Sequence, residues 1–162
     1  MPTTITNQTI LNALHEVKDP EIPVISVVDL GIITDIKIED NSVSVTMTPT
    51  FVGCPAIDFM KNQIKKRVEQ LGFEKVEVVV DREYKWSTND VSEKGKQLLK
   101  EFRLAPPPKI SGDAGLADLQ KIECPNCGST NTTLNTPFGS TLCRAIHYCN
   151  DCKQTFEQFK PK

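Results

Sequence analysis

An α+β fold in two modules is predicted for this chain by three observations. Apolar residues run at helix, strand, strand, helix, strand spacing over the first half, an αββαβ order. Three prolines at 106–108 and a Ser111-Gly112-Asp113-Ala114-Gly115 stretch then break the pattern. Of the six cysteines, all but Cys54 fall in the last quarter, as Cys124, Cys127, Cys143, Cys149 and Cys152. The reading is an α+β domain over 1–104 with helices on one face of a short sheet, a Pro/Gly linker over 105–120, and a cysteine-rich β module over 121–162.

Each element has a local cause. Ile10, Leu11, Leu14 and Val17 recur at helical spacing, with Thr6 or Asn7 as cap, and Asp19-Pro20 stops the helix. Ile32, Ile36 and Ile38 share one strand face. The Glu39-Asp40-Asn41-Ser42 turn leads into Val43, Val45 and Met47, so the two strands form a hairpin. Ile57, Met60, Ile64, Val68 and Leu71 mark a long helix from Pro55, ended by Gly72. Val76, Val78 and Val80 give the third strand. A short helix using Leu98, Leu99 and Phe102 follows the polar turn at 87–90.

Composition narrows the function. The 162 residues are 38% hydrophobic and 25% charged, which excludes a wholly disordered or membrane-embedded chain. A net charge of −2, without a basic stripe in the last module, argues against a nucleic-acid partner. No stretch approaches the ~18 apolar residues of a transmembrane helix. Residues 1–8 lack the basic start and apolar run of a signal peptide, so no membrane partner and a cytoplasmic location are expected.

In a cytosolic chain such cysteines suggest metal binding more than disulfides. Cys124-Pro125-Asn126-Cys127 and Cys149-Asn150-Asp151-Cys152 are two knuckles, separated by residues 128–148. Each aims two sulfurs at one point, and four thiolates make the tetrahedral site of a zinc ribbon. Structural Zn²⁺ is the expected ion, with iron in a rubredoxin-type site as the alternative. Strands are expected over 131–135, 142–148 and 155–159. Cys143, about 20 Å along an extended strand from Cys149, fits no shared metal. His147 is expected to pack and is left out of the ligand set.

Cys54 stands between Gly53 and Pro55, where a strand exit meets the long helix. With Pro55 in the first helical position, Cys54 becomes the N-cap, and the N-terminal N–H groups and helix dipole favour its thiolate. Asp19, Glu21 and Asp29 crowd the loop after the first helix and could reach it. Lys61, Lys65, Lys66 and Arg67 read as a solvated helix face. No phosphate-cradling loop, Ser-His-Asp set or His-rich motif is visible.

Three strings carry a resemblance: Asp19-Pro20-Glu21-Ile22-Pro23, Val28-Asp29-Leu30-Gly31 and Thr48-Pro49-Thr50-Phe51-Val52-Gly53-Cys54-Pro55-Ala56. They resemble the domain of iron–sulfur cluster assembly factors of the metal–sulfur cluster biosynthesis type. The Lys85-Trp86-Ser87-Thr88-Asn89-Asp90 and Phe138-Gly139-Ser140-Thr141-Leu142-Cys143 strings narrow it. With the ribbon behind, the chain is similar to the PaaD family of the phenylacetyl-CoA ring-epoxidase system. The resemblance implies an accessory subunit without catalytic activity of its own, partnered with the oxygenase and reductase subunits in aerobic phenylacetate degradation. It implies help in inserting iron or an iron–sulfur cluster, and maps the functional positions onto Asp19, Glu21, Thr50 (Thr48 being its rival) and Cys54.

A lone thiolate suits transient iron or cluster binding, because a permanent cluster usually needs four ligands. A homodimer or a client protein could complete the set. The competing reading is an electron-transfer component with iron in the four-cysteine site.

Overall fold

Thr6 opens the first helix in the computed structural model of the chain, which describes residues 4–51, 53–112, 115–120 and 122–162. Val52 in the loop before Cys54, Asp113 and Ala114 in the expected linker, and Lys121 at the expected start of the ribbon lie outside the described residues, as do residues 1–3. The Thr6 hydroxyl accepts the Thr9 N–H at 3.2 Å, and Thr9 Oγ1 accepts the Thr6 N–H at 3.3 Å, a reciprocal cap on helix α1 (Asn7–Leu14). Ile10 and Leu14 are fully buried. α1 ends before Val17, whose N–H closes a tighter turn onto Leu14 O at 3.0 Å.

The first sheet has the order β1-β2-β3. β1 (Ile33–Glu39) and β2 (Ser42–Met47) form the expected antiparallel hairpin. β3 (Lys75–Val80) lies parallel to β2, with helix α2 (Ile57–Glu69) in the crossover that parallel pairing requires. Val43, Val45, Met47, Val76 and Val78 are buried, as is the α2 stripe Ile57, Met60, Ile64 and Val68. α2 packs on β3, and α1 packs on both α2 and β1.

The chain divides into two compact units at Trp86/Ser87, not at 104. Helix α3 (Glu93–Glu101) and the two-residue strand β4 (Leu104–Ala105) therefore fall in the second unit. The reason is a pairing that local sequence does not show. Leu104 and Ala105 run parallel to Glu157 and Gln158, so the last residue of the expected first domain and the first of the expected linker become an edge of the second sheet. The proline break starts only at Pro106. α3 buries Leu99, but Phe102, expected on the same face, is exposed. The second sheet has the order β4-β7-β6-β5, built from β5 (Thr132–Thr136), β6 (Arg144–Cys149) and β7 (Thr155–Phe159), close to the expected ribbon strands.

Candidate functional site

The two knuckles are copies of one backbone device. In the first, the Cys124 N–H donates to Ser129 O at 2.8 Å and the Gly128 N–H to Cys124 O at 2.8 Å. In the second, the Cys149 N–H donates to Gln154 O at 2.9 Å and the Lys153 N–H to Cys149 O at 3.0 Å. The turn needs a left-handed residue at the same place in each, filled by Gly128 (φ 76°) and Lys153 (φ 62°). Glycine is the sequence signal for the first; nothing marks the second.

The sulfurs of Cys124, Cys127, Cys149 and Cys152 all lie within 4.8 Å of one another. Cys124 and Cys152 are 3.8 Å apart, Cys127 and Cys149 3.6 Å. A tetrahedral ion with bonds of about 2.3 Å sets its sulfurs about 3.8 Å apart, so four thiols at these two separations suit a tetrahedral thiolate site such as Zn²⁺ takes. The four cysteines form a metal-binding site. Backbone N–H groups of Cys152 and Asp151 pull the Cys149 thiol down to about 7. Lost hydration and the Cys149 sulfur push Cys152 up to about 12, so the metal-free cluster holds its protons unequally.

A polar clasp joins the knuckles. The Ser129 hydroxyl donates to Asp151 Oδ2 and Asn131 Nδ2 to Asp151 Oδ1, the latter at 2.9 Å. These two donors hold the Asp151 carboxyl below its ordinary range. His147 is buried, stacked on Phe156 at 5.3 Å, with Nε2 2.8 Å from Gln158 Oε1. It packs against Phe156, and among the described residues it is not in the set whose ligand atoms converge. Cys143 is half-buried, its sulfur 3.1 Å from Thr141 Oγ1.

Cys54 departs from expectation. The N-cap of α2 is Ala56, because a preceding turn (Ile57 N–H to Cys54 O, 3.4 Å) delays the helix and leaves Pro55 outside it. The thiol is half-buried, and its pKa is raised, not lowered. Burial is the main cause; the Ala56 N–H opposes it, and the carboxylates of Asp19 and Glu21 add to the rise. The structure thus brings Asp19 and Glu21 to Cys54, with a sign opposite to thiolate activation.

Asp19 is also a turn residue. Its Oδ1 accepts the Glu21 N–H at 2.7 Å and the Ile22 N–H at 3.0 Å, which bends the loop. Thr50 is half-buried in the loop before Cys54, whereas its rival Thr48 is fully buried and donates to Tyr84 O at 3.4 Å. Among the described residues, no other set of three Cys, His, Asp or Glu converges as the ribbon cysteines do, so Cys54, Asp19 and Glu21 are not a preformed three-ligand site.

Two supports escaped the sequence. Trp86 is buried, donates Nε1–H to Leu30 O at 2.9 Å, and lies 6.4 Å from the Phe51 ring beside the Cys54 loop. His15, Ser26 and Asp29 also meet. Ser26 Oγ donates to Asp29 Oδ2 at 2.9 Å, and His15 Nδ1 is 3.2 Å from Ser26 Oγ and 3.4 Å from Asp29 Oδ2. Ser26 has no exposed surface, so this set ties the end of α1 to the next turn and offers no nucleophile. Asp29 is engaged there.

Comparison with known proteins follows the same division. Residues 7–80 match the iron-sulfur cluster assembly protein family, and residues 109–160 match the PaaD zinc beta ribbon domain. A protein of Escherichia coli (strain K12), named as the D component of 1,2-phenylacetyl-CoA epoxidase, is 34% identical over 91% of this chain and 88% of its own length. An Fe-S protein maturation auxiliary factor of Porphyromonas gingivalis (strain ATCC BAA-308 / W83) is 39% identical over 54% of this chain and 85% of its own. Among solved structures, a conserved hypothetical protein of Thermotoga maritima is similar at 31% identity and TM-score 0.53, over 63% of this chain and 98% of that one.

Proposed function

The chain belongs to the PaaD family, whose Escherichia coli relative it matches over 91% of its length, and from that premise we propose that it matures the epoxidase of phenylacetate breakdown. The family supports an accessory role in iron–sulfur assembly. In the finer reading, Cys54 is a transient ligand that hands iron or a cluster to the oxygenase or reductase subunits. The carrying observation is a half-buried thiol kept neutral by burial and by Asp19 and Glu21, with no further ligand set converging beside it among the described residues. Such a sulfur binds metal only when a second protein supplies the missing ligands, and rests as a thiol between encounters.

The mechanism assigned to this chain's own residues is limited. Asp19 and Glu21 keep the proton on Cys54 until a cation arrives, and the same two charges then favour that cation. Thr50 is the further residue assigned to this loop. The ribbon, with Zn²⁺ on Cys124, Cys127, Cys149 and Cys152, holds a folded surface and takes no part in transfer. The cytoplasm is the proposed compartment.

The experiment is co-expression of the epoxidase components with this chain or with Cys54→Ser. Wild type should raise iron content and turnover of the client; the variant should match omission of the chain, with its ribbon metal and melting unchanged. Equal client loading by the variant would sink the proposal. Red, sulfide-free iron in the ribbon of purified protein would favour electron transfer instead.

A further inference from the structure

The loop joining β5 to β6 exposes the wrong residues for a solvated turn. Phe138 is 75% exposed and Leu142 61%, and Phe138 is the most exposed aromatic among the described residues. The loop is nonetheless built. A Cβ at Gly139 would stand 2.9 Å from Arg144 O and 3.0 Å from Arg144 Cβ, so glycine alone fits where the chain folds back. The Gly139 N–H donates to Arg144 O at 2.8 Å, and Ser140 Oγ donates to the Glu157 carboxylate at 2.8 Å. Lys160 Nζ donates to Pro137 O at 3.1 Å and sits 5.8 Å from the Phe138 ring centroid. Backbone and side-chain ties thus hold two apolar side chains outward.

We propose that this loop is a docking tip whose Phe138 and Leu142 enter an apolar pocket, rimmed by a carboxylate, on an epoxidase component. The inference rests on the maturation reading for the partner's identity, but not on Cys54. Area argues against a second copy as occupant. Two such side chains expose on the order of 250 Å², whereas a stable dimer buries about 800 Å² per partner. Anchors of this size act by filling a pocket. Charge selects the rim: no carboxylate pairs with Lys160 among the described residues, so its cation beside the Phe138 ring calls for one from the partner. One lysine is a weak draw to an anionic lipid surface, about 1 kcal/mol, on a chain of net charge −2.

The test is binding of the full chain to purified oxygenase and reductase components, by calorimetry, with four variants. The double variant Phe138→Ala/Leu142→Ala should bind at least tenfold more weakly, with metal content and melting unchanged. Lys160→Glu should weaken binding and remove its salt dependence. Gly139→Ala, which keeps both anchors but displaces the loop, should weaken it too. Cys54→Ser should bind like wild type yet fail to activate. Binding by the double variant within twofold of wild type overturns the docking tip and leaves the maturation reading standing; no binding by wild type overturns both. Adsorption to phosphatidylglycerol vesicles, or self-association, that is lost in the double variant while component binding persists would also overturn it.

Discussion

Cys54 shows how far a residue's chemistry depends on its neighbours. The Ala56 N–H favours thiolate, but burial and two carboxylates act against it and win. Alkylation of Cys54 by iodoacetamide at pH 7 should therefore be slower than that of a model thiol, and should keep rising beyond pH 9, since the folded pKa lies above the ordinary 9.0. Asp19→Asn and Glu21→Gln each remove repulsion and should speed the reaction, more at low than at high salt. Alkylation as fast as a free cysteine's, in both variants and wild type, would show that the carboxylates do not act on the sulfur.

Elements carry the next level of control, and the two knuckles differ at one informative position. Gly128 and Lys153 occupy equivalent left-handed sites, one unstrained and one strained. Gly128→Ala should destabilise the ribbon by about 1–2 kcal/mol through backbone strain alone, since only the Glu123 side chain approaches its Cβ position, at 3.9 Å. Lys153→Gly should act oppositely, by about 1 kcal/mol less the entropy of the added glycine. Urea melts of the metal-loaded chain would measure both; a neutral Gly128→Ala would show that the turn tolerates a side chain. In the first unit, Thr6→Ala removes the cap of α1 and should cost about 1 kcal/mol.

At the scale of the whole molecule, the two units hold their cores by different means. The first buries aliphatic side chains between helices and sheet. The second builds a core around Ala105, Ile122, Cys124, Cys149 and Phe156, with Cys152 packed against it, so its metal ligands are also core residues. Without an ion the four sulfurs lose the bonds that would tie the two knuckles to one point. A strong chelator should unfold the second unit and leave the first folded, seen as loss of the amide signals of 132–159 with those of 33–80 retained. Retention of both sets would mean the ribbon stands without metal. Zinc analysis of the native protein should give one ion per chain and no visible absorption. No helix among the described residues is long and apolar enough to cross a membrane.

Much of the architecture was legible in the chain, because it rests on local causes. Periodicity drew α1, α2 and the β1–β2–β3 strands, and knuckle spacing drew the four-sulfur site, since a Cys-x-x-Cys turn places its own sulfurs. The strings around Asp19 and Cys54 marked the family. What remained hidden was set by contacts between residues far apart in sequence. The parallel pairing of Leu104–Ala105 with β7 moved the unit boundary to Trp86, although nothing local distinguishes two strand residues from the end of a helix. Trp86 reached Leu30, and His15 met Asp29, by tertiary folding alone. The thiol's sign followed the same rule: sequence supplied the cysteine and its helix, but burial and the approach of Asp19 and Glu21, which set its pKa, exist only once the chain is folded.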